Sequence, residues 1–469
     1  MLLHSWMKRV VVISLGLGLV NFGPAHLVGV RAQTNGVATP ITGSGEPLTL
    51  AQAVEIALAK NPLTRVTAAG RELADAHLAV ARATRWPFLQ ASEMVTRSNN
   101  PVFVFGSLLE QGRFGADNFA LSSLNHPDAL TNFRSGLSVR VPVYDQRQSK
   151  TRIDLARLGQ QQADHQTELV AQQIRFDVLK SYYGVLLAES KVVVAEEAIQ
   201  MSSADLKRIK DRFETGFVVR SDLLAAEVQL SDFRQQKIQA LGELAIAQAA
   251  LNTALGLSAD SPHRITDQLS ERLFHIEAPD ELNRLALDHR PEYARAMLAV
   301  RTNERQVRGA RDEALPRVDA FASLGVSGRS PVTGSSDYAM GASVTVNLFD
   351  AGRKARINQA RAAQAIAEAE QEQLANEIRF EVVRAYQQFV SARERLQVVG
   401  QTTVQATEVL RIVQDRYREG LTTITEVLRA ELALVRARTD VLTARHDHYV
   451  AYANVLLATG RLKDVRPFV

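Results

Sequence analysis

From residue 149 to about 214, and again from 353 to about 419, apolar residues recur every three or four positions without a proline, and glycine interrupts only at Gly159, Gly184 and Gly400. Leu169, Ile174, Leu179 and Leu186 in the first run, and Leu374, Ile378, Val382 and Phe389 in the second, fall on one helical face. The many alanines beside them allow close antiparallel coiled-coil contact. At a rise of about 1.5 Å per residue, each run predicts a helix of about 100 Å, far longer than one globular domain can bury. Each stops at a glycine, Gly216 or Gly420. A shorter helix then returns from Ser221 or Thr425, carrying Asp222 or Glu426 in its first turn, where a negative charge favours the helix N-terminus.

Elsewhere the period changes from three and four to two. Tyr338, Met340, Ala342, Val344, Val346 and Leu348 alternate with Ala339, Gly341, Ser343, Thr345 and Asn347, and similar alternation runs through Val318 to Val326 and Phe133 to Val143. Strands are expected over about 88–97, 133–144, 318–328 and 338–349, long enough to cross an outer-membrane bilayer. A soluble sandwich strand carries the same pattern, so one strand does not decide between them. Residues 98–132 and 329–337 are expected to be loops at one end of the strands. The first holds Phe103, Phe105, Phe114 and Phe119, open to three readings: a lid, a partner surface or ordinary loop packing. Ahead of the strands in each region, a short helix stops at Asn61-Pro62 or Arg290-Pro291, and a longer one starts at the proline, whose missing amide costs nothing in a first turn.

These elements occur twice in the same order. Asn61-Pro62 and Trp86-Pro87 reappear as Arg290-Pro291 and Leu315-Pro316, 229 residues on. SVRVPVYD (138–145) returns as SVTVNLFD (343–350) after 205 residues, and IRFDVLKSYY (174–183) and DRFETG (211–216) return as IRFEVVRAYQ and DRYREG after 204. Two homologous halves, 48–257 and 280–460, are therefore expected, with a linker 258–279, an N-terminal extension 33–47 and a tail 461–469. The first half carries its extra residues between Pro87 and Ser138. Two strands per half make four per chain. A sheet in lipid must close on itself, and closure takes at least about eight strands, so copies of the chain would have to share one barrel, either two or three.

Composition adds three points. The chain has 469 residues and no cysteine, which removes disulfides, thiolate metal sites, cysteine nucleophiles and a lipidated N-terminal cysteine. Lys8 and Arg9 precede the apolar run Val10 to Val20, and Val30-Arg31-Ala32 is a loose small-x-small site. An export signal over 1–32 is expected, with a signal anchor as the alternative. Lys8, Arg9 and Arg31 supply three of the four net positive charges, leaving a nearly neutral chain with interspersed signs and no nucleic-acid surface.

Candidate chemistry is sparse. His446 and His448 are two apart on a helix and so do not share a face, and no phosphate loop, metal spacing or nucleophile elbow is present. No enzyme activity, cofactor or metal is expected.

The segments LTLAQAVEIALAKNP (48–62), the SVRVPVYD and SVTVNLFDAGR joints, and RFETGFVVRSDLLAAEVQL beside RYREGLTTITEVLRAELAL resemble the TolC-type outer-membrane efflux proteins. The resemblance implies a mainly α fold. Very long antiparallel coiled-coil helices would form an α-barrel in the periplasm, and four transmembrane strands per chain would join a twelve-stranded β-barrel in a homotrimer set in outer-membrane lipid. It also implies a passive exit conduit docked to a periplasmic adaptor protein and an inner-membrane pump. Phe213, Gly216, Gly420 and Leu421 would then be helix tips facing the adaptor, and Asp222, Tyr417, Glu426 and Arg429 would belong to a pore gate. The family's second acid in the returning helix is replaced here by Arg429. Glu426 and Arg429 either pair between neighbouring helices to hold the entrance shut or form a solvated pair on one helix. A type I protein-secretion duct and a non-conducting coiled-coil envelope protein are the alternatives.

Overall fold

The computed structural model describes residues 46–270 and 272–468. The expected export signal lies outside the described residues, as do residues 33–45.

Each half opens with a short helix, α1 (Leu50–Lys60) or α7 (Pro279–His289), followed by a longer one, α2 (Pro62–Ala83) or α8 (Pro291–Asp312). Thr49 starts α1 through a capping box with Gln52, and the Asn61 side chain accepts the Leu63 amide to start α2 with Pro62 behind it. The strands β2 (Phe88–Ser98) and β3 (Leu130–Asp145) come next in the first half. β5 (Arg317–Ser330) and β6 (Thr333–Thr345) follow α8 in the second half. The long helices are α5 (Gln148–Glu214) and α9 (Arg353–Arg418), of 67 and 66 residues. Their returning partners are α6 (Arg220–Leu255) and α10 (Ile424–Ala458). A two-stranded parallel pair, β1 (Glu46–Leu48) with β4 (His263–Ile265), ties residues 258–279 back to the start of α1.

The four longer strands form one antiparallel sheet in the order β2-β3-β5-β6, and the register separates its two faces. Leu89, Val139, Ala322 and Met340 stand in one cross-strand row, and Ala91, Leu137, Leu324 and Tyr338 in the next of the same face. The opposite face carries Gln90, Ser138, Ser323 and Ala339. Leu324, Tyr338 and Met340 are 60%, 73% and 74% exposed, so the apolar face has no cover within this chain. Pro142 sits inside the central strand β3, where it removes a ladder donor; the register slips there, between Pro142 and Tyr144.

Two expected loops differ from what is found. In place of a loop over 329–337, β5 and β6 run through polar residues to a tight turn at Pro331-Val332, because the backbone ladder continues beyond the apolar band; residues 346–349 lie past the end of β6. In place of a loop over 98–132, the chain forms α3 (Pro101–Glu110), a 3₁₀ turn Ala116–Phe119 and α4 (Leu121–Asn125).

At the strand-to-helix joints the same aspartate recurs. Asp145 accepts the Ser149 amide at 2.7 Å and Asp350 accepts the Gly352 amide at 2.9 Å, each satisfying a donor that the first helical turn leaves unpaired.

The main core lies where both halves meet at mid-helix. Val178, Leu179, Tyr182 and Leu186 of α5 pack with Leu50 and Ala57 of α1, Leu282 of α7, Val382 and Phe389 of α9, and Tyr449 of α10. Burying such side chains contributes about 1.5–3 kcal/mol each. The Tyr182 hydroxyl is drawn into this core, where its one proton faces two acceptors, Asp267 at 2.7 Å and the Leu48 carbonyl at 3.0 Å. Gly256 (φ +73°) and Gly460 (φ +68°) end α6 and α10 against the proline breaks. A Cβ on Gly256 would lie 2.7 Å from the Asn61 Cα, and one on Gly460 2.7 Å from the His289 carbonyl carbon. A second cluster, Ile209, Leu410, Ile424, Val427 and Leu434, fastens the four helices at their far end. Among the described residues no helix is both long and apolar enough to cross a membrane.

Candidate functional site

The far ends of the two helical hairpins are built by the same local rule. Gly216 takes φ +79° and donates to the Phe213 carbonyl at 3.0 Å, while Phe217 donates to Arg212 at 2.9 Å. Gly420 takes φ +75° and donates to Tyr417 at 3.1 Å, while Leu421 donates to Arg416 at 2.9 Å. These are paired Schellman caps, which need a residue without a Cβ at the left-handed position. The turns hold apolar side chains out in the open: Phe213 is 36% exposed, Leu421 63% and Phe217 83%. Residues Val219 and Thr423 start the returning helices, which puts Asp222 and Glu426 at the same place in their first turns. Their amides bond to the carbonyls of Val219 and Thr423.

Glu426 and Arg429 meet at 2.8 Å within α10, one turn apart, with side chains 50% and 72% exposed. Such an exposed pair contributes a few tenths of a kcal/mol. Asp222 is half-buried at the start of α6 and is not brought to this pair. Tyr417 is half-buried, with the Arg212 guanidinium 5.0 Å from its ring centre, a cation–π contact between α9 and α5. Its buried hydroxyl has no hydrogen-bond partner. The two side chains line a cavity of about 180 Å³ together with Asp205, Arg208, Gln414 and Val427.

Two turns into α10 lies a group that the sequence did not single out. Glu431 is fully buried, and neither carboxylate oxygen accepts a hydrogen bond. Burial raises its pKa to about 7, and the Arg208 charge on α5 only partly offsets this. Arg208 is itself ion-paired with the buried Asp205. Nothing in the local sequence separates Glu431 from Glu227, its counterpart 204 residues earlier, yet Glu227 is exposed. Among the described residues no cluster of His, Asp or Glu side chains could hold a metal ion.

The sequence matches the family described as outer membrane efflux protein over residues 53–257 and 282–461. The chain belongs to this family. As an outer membrane efflux protein it is a transport protein of the outer membrane and not an enzyme. It is 25% identical over 348 residues to the alkaline protease secretion protein AprF of Pseudomonas aeruginosa, covering 71% of this chain and 70% of that protein. To the outer membrane protein TolC of Vibrio cholerae it is 22% identical over 342 residues, covering 70% and 77%. The crystal structure of CusC superposes with a TM-score of 0.75 at 19% identity, over 88% of this chain and 92% of that one.

Proposed function

We propose that three copies of the chain form one conduit from periplasm to exterior, the outer-membrane exit of a tripartite efflux system with a periplasmic adaptor and an inner-membrane pump. The observation that carries this reading is the open four-stranded sheet with an uncovered apolar face. In lipid the edges β2 and β6 would leave a row of backbone donors and acceptors unpaired, each costing several kcal/mol, so a single chain is not a stable membrane species. Three sheets joined edge to edge give twelve strands, with the apolar face outward and the Ser138 face lining the lumen. The long helices continue the wall into the periplasm. The exposed Phe213, Phe217 and Leu421 at the Gly216 and Gly420 turns offer an apolar surface for the adaptor.

Tyr417, Asp222, Glu426 and Arg429 stand around the periplasmic entrance in this reading. The purified protein is expected to migrate as a trimer and to open discrete channels in planar bilayers. Reversing charge with Glu426→Lys is expected to change ion selectivity. A monomer without channel activity overturns the conduit, and unchanged selectivity in a conducting Glu426→Lys channel removes Glu426 from the entrance.

The similarity to AprF, whose name describes alkaline protease secretion, favours a second reading as the exit duct of a type I protein-secretion system. The inner-membrane partner separates the two: co-purification with an ATP-driven transporter selects secretion, and with a proton-driven pump efflux.

A further inference from the structure

We propose that residues 99–129 form a lid over the outward mouth of the barrel, which has to swing aside for cargo to leave; this rests on the trimeric conduit proposed above. The segment is a folded body. Asn100 caps α3 by accepting the amides of Val102 and Phe103 at 3.0 and 3.2 Å, and Phe105, Phe114 and Phe119 stack edge to face with ring centres 4.8 and 5.1 Å apart. It lies on the polar face of the sheet, the one turned to the lumen. Glu110 at the end of α3 is 3.2 Å from the Arg134 guanidinium of β3, and Arg134 reaches on to Asp337 of β6 at 3.2 Å. Gln111 donates to the Asn132 side chain at 2.9 Å and to the Thr131 carbonyl at 3.2 Å. Beneath this contact Ser327 of β5 is fully buried, on a face that a bare barrel would leave open to water.

Size decides between a lining and a lid. Twelve strands about 4.8 Å apart and tilted about 40° make a wall about 24 Å across, backbone to backbone. Three helices each about 10 Å wide, packed together against that wall, span about 22 Å. Three copies of α3 on the inner face therefore fill the mouth. The contacts holding each copy to the sheet include one ion pair, Glu110 with Arg134, and hydrogen bonds that water can replace, which makes the closed position releasable.

The chain has no cysteine, so Ser138→Cys places a single thiol on the polar face below the lid. Intact cells are treated from outside with a membrane-impermeant maleimide carrying a bulky polyethylene glycol chain. Three forms are compared: Ser138→Cys alone, Ser138→Cys with 101–129 replaced by a short Gly-Ser turn, and Ser138→Cys with Glu110→Gln and Gln111→Ala. Both altered forms are expected to label faster by an order of magnitude or more, with a smaller gain for a small charged maleimide. Where the shortened form does not assemble, the two point substitutions decide. Equal bulky-probe labelling in a protein that conducts in planar bilayers overturns the lid and leaves the conduit standing. A protein that conducts neither with the lid intact nor with it shortened or released overturns both.

Discussion

At the residue scale, Glu431 is the clearest departure from what local sequence would suggest. Its folded pKa of about 7 lies above the ordinary carboxyl value of 4.5 because burial penalises the charge. The folded state therefore holds a proton that the unfolded state has released between about pH 4.5 and 7, and stability falls as pH rises through that window. Below it the group is neutral in both states and carries no penalty. Glu431→Gln is expected to stabilise the start of α10 by about 2–3 kcal/mol at pH 8 and hardly at all at pH 4.5. Hydrogen exchange over residues 424–435, corrected for intrinsic rates, reads this directly. An equal gain at both pH values would show that charge burial is not the cause. The glycines at the tips were readable in advance because positive φ leaves few alternatives. Glu431 was not, since its burial depends on α5 packing against α10, two elements more than 200 positions apart.

At the scale of elements, the long helices, their returns and the paired prolines were all legible, because each has a local cause: period, cap or breaker. The helix α3 had the same kind of cause and was passed over. Asn100-Pro101 repeats the grammar of Asn61-Pro62, with an asparagine side chain accepting amides of the next turn and proline at the first helical position. Its phenylalanines and glycines read as loop composition and hid that signal. What no local pattern contains is where α3 lies, because that rests on Arg134 and Asp337 from different halves of the chain. The placement has a direct check. A Cβ on Gly112 would stand 3.6 Å from the Ser335 Cβ, within the range that a disulfide spans. Gly112→Cys with Ser335→Cys is expected to close on mild oxidation, visible as loss of free thiol and a gel shift reversed by reductant. The left-handed φ of +66° at Gly112 opposes a cysteine by about 1–2 kcal/mol, less than the 2–4 kcal/mol a disulfide typically contributes. Failure to close in a folded, assembled protein would move residues 99–129 off the polar face.

For the whole molecule, the constant spacings predict a duplication, and the order helix, helix, strand, strand, long helix, returning helix runs twice along the chain. The halves are nevertheless not interchangeable. The first carries α3 and its stack between its strands, where the second has only Pro331-Val332, and the first presents Ser202, Asp205 and Arg208 on α5 where α9 has Ala406, Val409 and Ile412. Sixfold repetition around the conduit would thus be broken to threefold at both ends.

If three chains share one barrel, as proposed above, the open edges of the four-stranded sheet also carry a genetic consequence. A barrel that takes its strands from three chains is only as sound as its worst member, so a defective copy that still offers intact edges is incorporated and spoils two good ones. When such a copy, for instance one with the Gly216 and Gly420 turns disrupted, is co-expressed at an equal level, random assembly leaves only about one trimer in eight wholly wild-type. The defect is expected to be dominant in transport assays. A copy lacking β6 cannot close a ring and is expected to be recessive; if both behave alike, the strands are not shared.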